Sequence, residues 1–114
     1  MDDILATVIE HPHYIAKAKK LLTEEQMREI VNMLALDPYK GDVLIGTGGV
    51  RKFRFAAVNN KGKSGGMRVL YLYVSKKGKV HLLDIFGKSD KDNLTQSERN
   101  RFLKLSVTLK GLAG

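Results

Sequence analysis

The sequence predicts an α+β domain: a small twisted antiparallel sheet of about four strands, with two helices before it and one after. Two local signals and one change of period carry this reading. Thr23-Glu24-Glu25-Gln26 and Thr95-Gln96-Ser97-Glu98 are capping boxes, each marking a helix start. Between them, from Gly41, the helical spacing of apolar residues stops, and over Val50–Val58 they alternate.

Each element follows in order. Ile4–Ile9 is apolar and rich in β-branched residues, which suits a first strand closed by His11-Pro12-His13. Pro12 fits the first turn of a helix carrying Tyr14, Ile15, Ala18 and Leu21. Leu22 and Met27 are placed as the hydrophobic staple of a second helix, whose apolar face is Met27, Ile30, Val31 and Leu34. Asp37-Pro38 ends it, because the residue before proline leaves the α region. Val50–Val58, Met67–Val74 and Val80–Phe86 then read as three strands of a meander, the middle one apolar on both faces. The first connection is the polar, glycine-rich Asn59–Gly66, and the second is Lys76-Lys77-Gly78-Lys79. Phe102, Leu105 and Leu109 line the last helix, with Gly111 suited to the position just past its end. This order leaves the helices on one sheet face and the other face available to a ligand.

A chain of 114 residues, 43% of them hydrophobic, can close one core, so a single domain over 1–114 is expected. The absence of cysteine excludes disulfides, thiol nucleophiles and cysteine-ligated zinc. His11 and His13 flank Pro12 and His81 stands far off in sequence, so neither a metal site nor a cofactor is expected. Gly46-Thr47-Gly48-Gly49 lacks the lysine and the strand–loop–helix setting of a phosphate loop, and reads as a turn rather than a nucleotide-cofactor site. No apolar run approaches the roughly 20 residues that span a bilayer, and the N-terminus opens on acids instead of a basic leader. No membrane association and a cytoplasmic location are the expectation.

Charge is the most informative property. The net charge is +8, yet Val43–Leu83 contains no acid and nine cations (Arg51, Lys52, Arg54, Lys61, Lys63, Arg68, Lys76, Lys77 and Lys79), so the rest of the chain sums to −1. Such a block suits a polyanion, most commonly nucleic acid. Lys52 and Arg54 alternate with Phe53 and Phe55, which projects both cations from one sheet face. Arg68 opens the neighbouring strand, Lys61 and Lys63 lie in the loop between, and Lys88 follows the third strand. Lys76, Lys77 and Lys79 are better read as ordinary solvated cations of a turn. Tyr71 and Tyr73 share a face, where they serve either as core packing or as platforms for bases. His81 fits a structural role or that of an acid or base near neutral pH. Asp84 would pair a cation or stand as the lone carboxylate near the site.

These residues resemble a known family. Leu36-Asp37-Pro38, Gly41-Asp42-Val43 and Gly46-Thr47-Gly48-Gly49-Val50-Arg51-Lys52-Phe53-Arg54 are similar to a segment of HigB-type toxins in the RelE/ParE superfamily. The likeness continues through Gly62–Tyr71, Phe86-Gly87-Lys88 and Asp92-Asn93-Leu94-Thr95, collinear from about Leu36 to Glu98. The resemblance implies a RelE-like fold and a toxin of a type II toxin–antitoxin system. It also implies an endoribonuclease that cuts mRNA in the ribosomal A site and is silenced by a cognate antitoxin. By that likeness Lys52, Arg54, Arg68 and Lys88 match the family's basic residues; together with Lys63 they are the candidate catalytic set, and Arg51, Lys61, Tyr71, Tyr73 and His81 are candidate RNA contacts read from the residues themselves.

The chain departs from the family in having no tyrosine or histidine between Gly87 and Gly114 and no glutamate in Val43–Leu83. A mechanism without metal remains coherent: Arg54, Arg68 and Lys88 stabilise charge on the phosphate, and Lys52 or Lys63 takes the 2′-hydroxyl proton. Two alternatives stay open at this level, a ParE-like inhibitor of DNA gyrase and a non-catalytic nucleic-acid-binding module.

Overall fold

The computed structural model describes residues 5–56, 66–87 and 93–112. Its elements are β1 (Thr7–Glu10), α1 (Pro12–Leu21), α2 (Glu24–Leu36), β2 (Asp42–Val43), β3 (Arg51–Phe55), β4 (Met67–Val74), β5 (Lys79–Gly87) and α3 (Gln96–Gly111). Both capping boxes form. The Thr23 hydroxyl accepts from the Gln26 amide and the Gln26 side chain returns a bond to the Thr23 amide, and Thr95 and Glu98 repeat the pattern.

The sheet has five strands in the order β1-β5-β4-β3-β2. It differs from the expectation in two ways. β2 is an extra two-residue strand, Asp42 and Val43 facing Lys52 and Arg51. The sheet is also mixed, because α1 and α2 return the chain so that β1 runs parallel to β5, Thr7 beside Lys79 through Glu10 beside Leu82. Gly111 likewise falls inside the last turn of α3 instead of beyond it.

Both faces of the sheet are covered, and the expected bare face is corrected accordingly. On the first, Phe53, Phe55, Met67, Val69, Tyr71, Val80, Leu82 and Ile85 pack with Tyr14, Ala18 and Leu22 of the α1 segment and with Ile30 and Leu34 of α2. On the second, Val50, Leu70, Leu72, Val74, Leu83 and Phe86 pack with Leu94 and with Phe102 of α3. β4 is therefore apolar on both sides because a helical layer lies over each. β5 carries an irregularity, with Leu70 facing Asp84 while its neighbour Tyr71 faces Leu82. The extra residue lets Leu83 and Asp84 both serve the second face and its edge.

The turn from Leu44 to Val50 fastens α3. Thr47 is fully buried; its hydroxyl donates to the Leu44 carbonyl (2.7 Å) and accepts from the Val50 amide (3.0 Å). From α3, Arg99 donates to the Ile45 carbonyl, Ser106 to that of Thr47 and Lys110 to that of Gly48. Gly46, Gly48 and Gly49 all have positive φ, so the GTGG stretch is a docking turn. At Gly48, with φ +76°, an added Cβ would stand 2.9 Å from Ser106 Cβ and 3.0 Å from Leu103 Cδ1. Gly48→Ala is expected to cost about 2 kcal/mol or more, read as a lowered urea midpoint. An unchanged midpoint would mean that the turn does not hold α3.

Candidate nucleic-acid interface

Side chains alternate along β3, so Phe53 and Phe55 point to the first face and Lys52 and Arg54 to the second. On β4, Arg68 shares that second face with Leu70 and Leu72. Arg54 lies directly across the ladder from Arg68, and Lys52 across from Leu70. Lys52 and Arg54, predicted from alternation to share a face, thus share it with Arg68 of the neighbouring strand. They form a gradient of exposure, with Arg54 exposed, Lys52 half-buried and Arg68 only 4% exposed.

Directly opposed residues of an antiparallel pair have Cβ atoms about 5 Å apart, and like charges there are destabilising. Two arginines in that relation can both meet one anion placed between them. A phosphate suits them, since a guanidinium offers a bidentate fork to its oxygens. Neither Lys52 nor Arg54 forms an ion pair among the described residues. Asp42 is the residue that sequence reasoning missed. It stands just outside the acid-free stretch, and the β2–β3 pairing sets it across from Lys52.

Other predicted contacts lie elsewhere. Arg51 projects to the first face, where it donates to the Gly41 carbonyl at 2.7 Å and stacks over the Tyr39 ring at 5.1 Å. It fastens the segment between α2 and β2 and does not join Lys52. Tyr71 is corrected from a base platform to a core residue. It is fully buried on that same face, its hydroxyl donating to the Pro38 carbonyl (2.9 Å) and accepting from the Gly41 amide (2.8 Å). Burial raises its phenol pKa. Tyr73, half-buried, meets Tyr39 edge to face at 5.2 Å, also away from the cations. Lys61, Lys63 and Lys88 lie outside the described residues.

His81 faces Leu72 on β4, toward the other end of the sheet from Arg68. Its Nδ1 is 2.9 Å from His11 Nε2, so one neutral ring donates to the other. Burial lowers the pKa of both, and for His81 the nearby His11 and Lys79 lower it further. The unfolded chain therefore binds more protons than the folded one between these lowered values and the ordinary 6.5. The pair's contribution is complete above that ordinary value and is lost as pH falls through the lowered ones. Thermal unfolding between pH 7.5 and 5 should show it, with His81→Gln giving a flatter profile than the parent; identical slopes would remove the pair as the cause.

Asp84, placed by the β5 irregularity, is 5% exposed. Its Oδ1 accepts from Lys17 Nζ at 2.7 Å and from the Ile85 amide at 2.8 Å, and His13 Nε2 lies 3.3 Å away. His13 and Lys17 are one turn apart on α1 and so reach the same carboxylate.

A model of the family described as the RelE toxin of the RelE/RelB toxin–antitoxin system matches residues 11–114. Two solved structures from E. coli share the fold. The toxin RelE in the free state, carrying two arginine-to-alanine changes, is 15% identical over 89% of this chain and 96% of that one, with a TM-score of 0.58. The intact RelBE toxin–antitoxin complex gives a TM-score of 0.55 at 16% identity, over 72% of this chain and 95% of that one. At these identities the structural likeness concerns the fold, a mixed sheet between helical layers. Since the family match runs from His11 to the last residue, this chain belongs to the RelE toxin family.

Proposed function

We propose that the chain is an mRNA endonuclease that arrests translation by cutting transcripts at the ribosome, using the cations of the second sheet face. The observation that carries this reading is the cross-strand pair of Arg54 and Arg68 with Lys52 beside it. A bridging phosphate between such groups gains most when its charge grows, as it does in a pentavalent transition state. The 2′-hydroxyl loses its proton and forms a bond to phosphorus; the bond to the 5′-oxygen breaks and that oxygen takes up a proton. The products are a 2′,3′-cyclic phosphate and a 5′-hydroxyl. Arg54 and Arg68 stabilise the phosphorane; Lys52, the described β3 lysine within the same group, receives the 2′ proton in its neutral form and, once protonated, supplies the proton that the 5′-oxygen takes up. Lys88, matched by the family resemblance, and Lys63 complete the candidate set, and the proposed step uses no metal or organic cofactor.

The partner that restrains the toxin is a cognate antitoxin, a reading supported by the family description and by the RelBE complex of E. coli. The cytoplasm, where ribosomes and transcripts are, is its place of action. Among the described residues, no helix is long and apolar enough to cross a membrane.

Induced expression in bacteria, with transcript ends mapped in the presence and absence of the neighbouring gene, tests the reading. Cuts with 5′-hydroxyl ends within translated regions, suppressed by the neighbour, are expected. Growth arrest with intact transcripts and a DNA-damage response would point instead to gyrase.

A further inference from the structure

A second site lies beside the cationic face, at the edge of β5 beyond the last residue paired with β1. Here α1, β5 and α3 enclose a pocket of about 440 Å³, within the range of small-ligand sites. It is lined by Leu83, Phe102 and Leu105, by His11, His13 and Arg101, and by Asp84 as the buried carboxylate. The bonds to Asp84 all fall on one oxygen: Lys17, His13 and the Ile85 amide meet Oδ1. Oδ2 takes no bond among the described residues. Asp84 is 5% exposed as a residue and lines the pocket, so with Oδ1 taken by three neighbours its second oxygen is the acceptor open to a ligand there.

The surroundings define that donor. Arg101 lines the pocket and Lys17 already pairs with Asp84, so a cationic group such as a lysine or arginine of a protein partner meets like charge there. A neutral N–H does not. Apolar walls that include an aromatic ring favour a flat, weakly hydrated body. Arg101 is exposed, with its guanidinium carbon 5.8 Å from the Phe102 ring centroid, where it can meet an anion attached to that body. A neutral planar donor joined to an anion is a nucleotide.

The site also lies within reach of the cations. Asp84 faces Leu70 and Arg68 faces Phe86, so Asp84 and Arg68 are diagonal neighbours across β4 and β5, about 7–8 Å apart along the backbone. One nucleotide step of a strand gripped by Arg68 can bring a base to Asp84.

We infer that this pocket is a base-selecting subsite of the RNA-binding surface, with Asp84 Oδ2 accepting from the exocyclic amino group of cytosine, adenine or guanine and Arg101 contacting the adjoining phosphate. Uracil is disfavoured, because carbonyl oxygens flank its single N–H and face the carboxylate. The choice of ligand rests on the reading of the chain as a toxin acting on RNA.

The test is a titration of the purified full chain with CMP, AMP, UMP and ribose 5-phosphate, followed by the methyl resonances of Leu83 and Leu105. CMP and AMP are expected to shift both leucines saturably and to bind about tenfold tighter than UMP, with ribose 5-phosphate shifting neither. Asp84→Asn keeps an acceptor for Lys17 and replaces Oδ2 by a donor, so it should abolish the preference over UMP. Should that variant not fold, Arg101→Ala on the exposed side of α3 should weaken all three nucleotides several-fold without changing their order. No saturable shift with any nucleotide, an equal shift with ribose 5-phosphate, or shifts produced only by an antitoxin peptide would overturn the inference. Base-selective binding together with transcript cutting that survives Arg54→Ala would leave the pocket standing and remove the proposed catalytic site; the reverse pattern would do the opposite.

Discussion

Arg54→Ala should lower the rate of transcript cleavage about 100- to 1,000-fold while leaving the unfolding free energy within about 0.5 kcal/mol of the parent. The two effects separate because of where Arg54 sits. Its side chain is exposed and forms no ion pair among the described residues, so truncation removes little packing. Directly across the ladder stands Arg68, and removing one of two like charges relieves repulsion. In the presence of a phosphate the same pair becomes favourable, and more so as charge accumulates on the non-bridging oxygens. Lys76→Ala is the charge-matched control, since Lys76 lies exposed in the single 3-10 turn after β4 and should leave cleavage unchanged. Arg68→Ala is a poorer probe, because Arg68 is buried and its removal also leaves a cavity. Loss of cleavage in both Arg54→Ala and Lys76→Ala would show a general electrostatic effect and not a site.

The second large effect is on stability. Phe102→Ala should cost about 3–5 kcal/mol, a large share of the roughly 5–15 kcal/mol that holds a domain of this size. α3 is sixteen residues long, yet only Phe102 and Ser106 are buried on it. Phe102 is its one large buried side chain on the second face, against a cluster that includes Leu70, Leu83 and Phe86. The three side-chain bonds from α3 to the Ile45–Gly48 turn depend on that anchor for their register. Hydrogen exchange should report the loss as selective, with α3 amides unprotected before those of β4 and β5. Uniform loss across the chain would mean that α3 and the sheet unfold as one unit.

What could be read from the sequence was local. Thr23 with Gln26, and Thr95 with Glu98, announce helix starts because the groups that satisfy each other are three residues apart. The alternation of Lys52, Phe53, Arg54 and Phe55 fixes which side chains share a face whatever else the fold does. The chain's pairing across long separations was not legible. Nothing in Thr7–Glu10 tells that it will lie parallel to Lys79–Leu82, and two residues at Asp42–Val43 carry no strand period at all. The stripe of Phe102, Leu105 and Leu109 predicts that α3 has an apolar side, and is silent on which sheet face it will cover. Tyr71 and Tyr73 read alike as platforms or as core, and the answer came from Pro38 and Gly41, whose backbone groups take up the Tyr71 hydroxyl. The surroundings of Asp84 depend on an irregularity in β5 and on two α1 residues far away in sequence.

The most direct measurement is of the arginine side-chain Nε–H resonances during titration with a short 2′-O-methylated RNA, which binds without being cut, at low salt. Arg54 and Arg68 should shift together and saturate at the same RNA concentration, and both shifts should weaken steeply as salt is raised. Arg51, pinned to the Gly41 carbonyl on the opposite face, should stay still. Movement of Arg51 with Arg54 and Arg68 unmoved, or scattered small shifts that never saturate, would contradict a phosphate site on the second face of the sheet.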